Sequence, residues 1–255
     1  MISREDSGSI AVIRMAHGKV SALDTAFCET LVKALNDVAA GPAKALILTG
    51  TGTSFSAGVD LFQVLNGGTE YLGRFLPAME VFFRTLLTFP KPAVAAVNGH
   101  AIAGGCIIAA ACDHRIMASG TGRIGVPELA VGVPFPTLPF EIVGARVQPT
   151  MFRQLVNSGR VVSPPEALAL GLIDEIAEPG ALRHRAEEVA QQLAQIPAKT
   201  FALTKRTFTA PLLDRVRASA ALNADVLEAW DSPEVQARMR EYVAQTVGKA
   251  SQRET

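Results

Sequence analysis

A chain of 255 residues, 49% hydrophobic and 19% charged, carries enough apolar side chains for one large core, or for a core with a small appendage. Its 24 basic and 24 acidic residues balance to zero and form no like-charge block, which argues against a nucleic-acid surface or an electrostatic membrane anchor. No apolar run reaches the roughly 18 residues that a bilayer span needs, and the polar start lacks the pattern of a secretory signal, so a cytoplasmic protein with no membrane partner is expected. Cys28, Cys106 and Cys112 match neither an even disulfide set nor a metal-ligand spacing; they read as buried free thiols, with no metal site.

In chain order, short apolar runs alternate with helical patterns, which is the logic of an α/β fold. Strands are predicted at 10–15, 45–49, 93–98, 114–118 and 172–177. They are nearly continuous in apolar residues, as expected where both faces of a sheet are covered. Helices are predicted at 24–38, with Phe27, Leu31, Leu35 and Val38 on one face, and near 70–87 and 104–111. Beyond Pro179-Gly180 the pattern is helical, in segments 183–195, 200–209, 212–230 and 234–247 that Pro197, Pro211 and Pro233 are expected to interrupt. The chain therefore divides into a core over 1–196 and a helical region over 197–255.

Two glycine-marked turns each follow an apolar strand and precede a helix, where α/β proteins place their ligands. In the first, residues 51–62, Ala57-Gly58 strips bulk from beside the chain, so that the amide of Val59 can face a ligand at a helix start marked by Asp60. In the second, residues 98–112, Gly104-Gly105 opens an apolar helix whose first amides carry partial positive charge. Two such donors aimed at one point would hold a carbonyl oxygen as it becomes negative, each contributing about 10²–10³ in rate. By spacing alone, the same glycines serve equally well for tight turns and close helix packing. Neither turn has the letters of a P-loop, a dinucleotide fingerprint or a hydrolase elbow.

A third segment, 124–136, sets Glu128 among Val126, Pro127, Leu129, Val131 and Val133. Desolvation there would raise its pKa toward neutrality, which suits a general base; the alternative is an exposed acid at a helix N-terminus.

The letters of these segments resemble the crotonase family, the enoyl-CoA hydratase and isomerase superfamily, along most of the chain. The resemblance is carried by Phe55-Ser56-Ala57-Gly58-Val59-Asp60-Leu61, by Pro92-Ala93-Val94-Ala95-Ala96-Val97-Asn98-Gly99 followed by Ala103-Gly104-Gly105-Cys106, and by Cys112-Asp113. It implies a spiral of ββα units with a helical C-terminal region that assembles homotrimers, often paired into hexamers. It also implies an acyl-CoA substrate that brings its own coenzyme A, with no separate cofactor. The family's oxyanion donors fall on Val59 and Gly104. Lys19, Ser21 and Ala22 match a segment lining the coenzyme A groove, and Ala57, Asp60, Leu61, Gly105, Pro127 and Leu129 match further ligand-side positions. Lys205 is similar to a tail lysine that approaches the nucleotide, with a solvated surface lysine as the alternative.

The departures from the family pattern bear on the reaction. Hydratases of the family carry two glutamates; Glu128 matches one, and Ile107 stands where the other would be. Ala103 replaces the first glycine of a usual triplet, a change expected to leave the turn intact. Glu141, Asp113 and Asp60 have no spacing that forces them into the pocket as substitutes. Adding water takes two cooperating carboxylates, whereas moving a double bond from the 3- to the 2-position needs one base and an oxyanion hole. Isomerisation by Glu128 is therefore expected, with hydration or non-catalytic acyl-CoA binding as alternatives. Leu65, Phe75, Phe82, Leu129 and Phe135 are candidate acyl-wall residues that would serve equally as core.

Overall fold

A computed structural model describes residues 1–251. The chain opens with a hairpin, β1 (Ile2–Ser7) and β2 (Ile10–Met15), and a helix, α1 (Thr25–Ala40). Three ββα units follow: β3 (Ala45–Thr49), β4 (Ser54–Ser56) and α2 (Leu61–Leu87); β5 (Ala93–Val97), β6 (His100–Ile102) and α3 (Gly104–Ala111); β7 (His114–Ala118), β8 (Ile124–Gly125) and α4 (Glu128–Val131). Next come α5 (Thr137–Gly144), α6 (Pro149–Ser158), β9 (Val161–Val162), α7 (Pro164–Leu170), β10 (Glu175–Ala177) and α8 (Leu182–Leu193), then α9 (Ala198–Ala218), α10 (Leu222–Asp231) and α11 (Pro233–Ser251).

The first strand of each unit joins a six-stranded sheet of order β1-β2-β3-β5-β7-β10, parallel except for β1. The second strand joins a four-stranded sheet, β4-β6-β8-β9, in which β4, β6 and β8 run parallel. The chain thus winds from one sheet to the other and back, which is the expected spiral. Strand alternation explains the continuous apolar runs. Leu46, Leu48, Ala93 and Ala95 point into a core shared with α1, α2 and α3. Their neighbours Ala45, Ile47, Val94 and Ala96 point to the other face, where Leu182, Ala186 and Val189 of α8 cover them.

Several elements differ from the sequence expectation, which also leaves the short strands β4, β6, β8 and β9 unplaced. The strand β1, ISREDS with four exposed residues, has no alternation to announce it and is held by its antiparallel ladder to β2. The helix predicted near 70–87 begins at Leu61, because its residues continue through a kink at Gly68 (φ 54°, ψ −151°). The last strand is confined to Glu175–Ala177. Pro211 lies inside α9 rather than ending it; the carbonyl it leaves unpaired belongs to Thr207, an exposed residue whose carbonyl water can satisfy. All three cysteines are buried and free. Among the described residues, no helix is long and apolar enough to cross a membrane, and no cluster of His, Cys, Asp or Glu is arranged to hold a metal ion.

Candidate active site

The parallel small sheet gathers the three segments of interest. Its register aligns Ser56 with Ala101, Ala101 with Ile124 and Ile102 with Gly125, so β4, β6 and β8 end side by side. Each is followed within a few residues by a helix start. Val59, Gly104 and Glu128 therefore occupy the same station in three successive units, and all three line one apolar cavity of about 80 Å³.

The two glycine turns meet there. Val59 forms a parallel bridge with Leu23, in which Leu23 N donates to Gly58 O at 2.7 Å and Asp60 N donates to Leu23 O at 2.9 Å. That pattern uses the groups on either side of Val59 and turns its own N–H away from Leu23. Gly58, at φ 79°, has no room for a side chain: a Cβ would lie 2.6 Å from Ile102 O and 2.8 Å from Gly104 N. The two turns are thus in backbone contact. At Gly104 the first amides of α3 have no carbonyl one turn earlier to receive them, the first such bond being Ile107 N to Ala103 O at 3.1 Å. Arg146 holds the far end of α3, donating to Ala110 O at 2.7 Å and Cys112 O at 3.0 Å.

Ala103 keeps the turn at a price in strain, with φ 50° and ψ −118°, a region where a Cβ is disfavoured by about 1–2 kcal/mol. Ala103→Gly is expected to raise stability by about 1 kcal/mol, seen as a melting temperature higher by about 2–4 °C. An unchanged or lower melting temperature would show that the methyl is accommodated without strain.

Glu128 is 7% exposed, and its Oε2 is buried without a hydrogen-bond partner. Desolvation pushes its pKa up to about 8. Ile107, 3% exposed, lines the same cavity, and Glu128 is the only carboxylate among the described lining residues. The acids considered as substitutes are engaged elsewhere. Asp60 caps α2, accepting from Phe62 N and Gln63 N at 3.0 and 3.1 Å; Asp113 pairs with Lys205; Glu141 accepts from Arg215 at 2.7 Å. The short helix bearing Glu128 is pinned from α11, where Arg238 donates to Ala130 O at 3.1 Å and packs against Gly132.

Ala57, Val59, Leu61, Gly104, Pro127 and Glu128 line the cavity. Other residues singled out from the sequence lie elsewhere. Leu129 is 46% exposed and is not part of the lining: one step along a helix turns it by about 100° from Glu128. Gly105 serves packing, since a Cβ there would lie 2.2 Å from Ser56 O. Ser21 is 2% exposed, its hydroxyl accepting from His17 N at 3.3 Å and its carbonyl from the Ser56 hydroxyl at 2.7 Å. Its segment is anchored by Asp24, whose carboxyl burial pushes up in pKa, an effect outweighed by hydrogen bonds from Phe27 N, His17 and Gln63 that leave it below its ordinary value. Lys19 is exposed and Ala22 half-buried, both outside the cavity lining.

Lys205 is neither solvated nor at this cavity; it is 7% exposed and bonds Asp113 at 2.8 Å. Of the candidate wall residues only Phe135 lines the cavity, while Phe75 and Phe82 are core. Met79, Trp230 and Tyr242 also line it and were not anticipated. The chain's single tryptophan was the available signal; its indole N–H donates to Pro134 O at 2.9 Å.

The family model for enoyl-CoA hydratase/isomerase matches residues 5–247, and the chain belongs to that enzyme family. A Thermus thermophilus protein named "Putative enoyl-CoA hydratase" is 37% identical over 213 residues, 80% of this chain and 83% of that one. Among solved structures, a "probable enoyl-CoA hydratase" of Mycobacterium tuberculosis matches with TM-score 0.83 at 34% identity, covering 89% of this chain and 97% of that one. Human mitochondrial delta3-delta2-enoyl-CoA isomerase, at 22% identity, shares the fold with TM-score 0.93 over 97% of this chain and 98% of that one.

Proposed function

We propose that this enzyme shifts the double bond of a 3-enoyl-CoA to the 2-position, with Glu128 as its one proton carrier. The observation that carries this reading is a buried carboxylate alone in its cavity: among the described lining residues, Glu128 stands with Ile107 and no second acid. The thioester oxygen is received by the amides of Val59 and Gly104. The carboxylate of Glu128 removes a proton from C2, the electron pair moves onto the thioester oxygen as a dienolate, and the resulting carboxylic acid returns the proton at C4. The conjugated 2-enoyl-CoA results, with nothing else consumed. Hydration is favoured by the name of the 37% identical relative, whereas the 34% identical Mycobacterium tuberculosis protein carries a hydratase name in one structure and an isomerase name in another. Hydration would need a water held and deprotonated beside a second acid, on apolar ground next to Ile107.

The decisive assay compares kcat/KM for isomerisation of a 3-enoyl-CoA with that for water addition to a 2-enoyl-CoA. Isomerisation is expected to lead by about 10² or more, the usual contribution of one missing acid–base group. Dominant hydration with negligible isomerisation would overturn the reading. A pKa of about 8 also sets the pH profile: kcat/KM should rise about tenfold per pH unit up to about pH 8 as the base ionises, then level off. A profile flat from pH 6 upward would deny Glu128 this role.

The assembly proposed is a homotrimer or a pair of trimers built on α9–α11. These helices expose Leu203, Phe208 and Leu222, Phe208 by 80%, and light scattering on the full chain reads the outcome.

A further inference from the structure

A second cavity, of about 170 Å³, adjoins the one that holds Glu128. Three residues line both: Met79, Pro136 and Pro139. The two prolines are rigid rings, whereas Met79 is an unbranched side chain, 3% exposed, that can change shape without disturbing its backbone. It projects from α2 just after Pro77, which lies inside the helix, and well beyond the kink at Gly68. The far walls are mostly apolar, with Leu72 and Leu76 from α2 and Val226 and Leu227 from α10, and carry two polar side chains, Glu80 and Asn223.

The volumes decide what each space can take. An apolar void of about 150 Å³ accepts a benzene-sized guest. By that scale the inner cavity of about 80 Å³ suits about three or four carbons, and the outer one about six more. A short acyl chain fits with Met79 in place, and a longer one must pass the three residues shared by the two cavities, of which Met79 alone is flexible.

We propose that Met79 is the gate between the two cavities and so sets the length of acyl chain that the enzyme accepts. The inference rests on the reading that the acyl chain lies in the cavity beside Glu128. The test uses saturated acyl-CoA ligands of four to twelve carbons, which undergo neither isomerisation nor hydration, so its outcome is independent of which reaction the enzyme performs. Dissociation constants are measured by calorimetry on the full chain.

For the unaltered protein, affinity should stop rising at about four carbons, the capacity of the inner cavity. In Met79→Ala it should continue to rise, by up to about fourfold for each methylene that enters the outer cavity, lifting the ten-to-four-carbon affinity ratio at least about tenfold. Adding Leu76→Trp, which fills the outer cavity from its own wall, should return the ratio to its original value. Met79→Val should shift the ratio in the same direction by less, and it serves if the alanine variant fails to fold. Equal ratios in the unaltered protein and both Met79 variants would overturn the proposal, as would a ratio that Leu76→Trp leaves unchanged.

Discussion

Replacing Glu128 with glutamine is expected to reduce kcat for isomerisation by about 10²–10⁴-fold while leaving the binding of saturated acyl-CoA essentially unchanged. Glutamine has nearly the same shape and cannot carry a proton between two carbons, so the effect isolates the chemistry from the binding. The substitution has a second signature. Glu128 holds its proton up to about pH 8 in the folded protein against an ordinary value of 4.5. A raised folded pKa contributes stability that is fully present below 4.5 and is lost as pH rises through about 8. This component of the pH dependence should vanish in the glutamine variant, read as a flatter plot of melting temperature between those limits. Retained isomerase activity would refute the mechanism, and an unaltered stability profile would show that the carboxyl is not buried as described.

The second large effect is expected at Gly58. A methyl group there would meet Ile102 O at 2.6 Å and Gly104 N at 2.8 Å, and the φ of 79° adds about 1–2 kcal/mol of strain for any L side chain. Backbone cannot rotate out of the way as a side chain would, so the two turns must separate. Gly58→Ala should lower kcat/KM by about 10²–10³, the loss associated with one misplaced donor, and lower the melting temperature. Comparison with Glu128→Gln distinguishes the two: only the Gly58 variant should also bind saturated acyl-CoA more weakly. A fully active Gly58→Ala protein would mean that contact between the turns is not needed for catalysis.

How much of this could be read from the letters differs by element. The central strands were plain because both faces are buried, and α1 because Phe27, Leu31, Leu35 and Val38 recur at helical spacing below the cap at Asp24. The strand β1 was hidden because four of its six residues are exposed and its order comes from pairing. Pro211 misled because breaking a helix depends on whether the freed carbonyl can reach water. At the site, the turns bearing Val59 and Gly104 and the acid Glu128 stood out, since glycines beside strand ends and a carboxylate among aliphatic residues are local signals. The fate of Lys205 was not legible, because its partner Asp113 is 92 residues away. The same holds for Met79, Trp230 and Tyr242, which reach the cavity only through the packing of α2, α10 and α11.

The bridge between Leu23 and Val59 bears on how this site would look to a mutational survey. In the proposed mechanism the thioester is held by main-chain N–H groups, and Val59→Ala deletes two methyl groups without moving the amide. An alanine scan would therefore report Glu128 sharply and pass over Val59 in silence, and tolerance at Val59 would be mistaken for irrelevance. Replacing the peptide link at Val59 or Gly104 with an ester, which removes the N–H and keeps the side chain, is the perturbation that would make these positions visible.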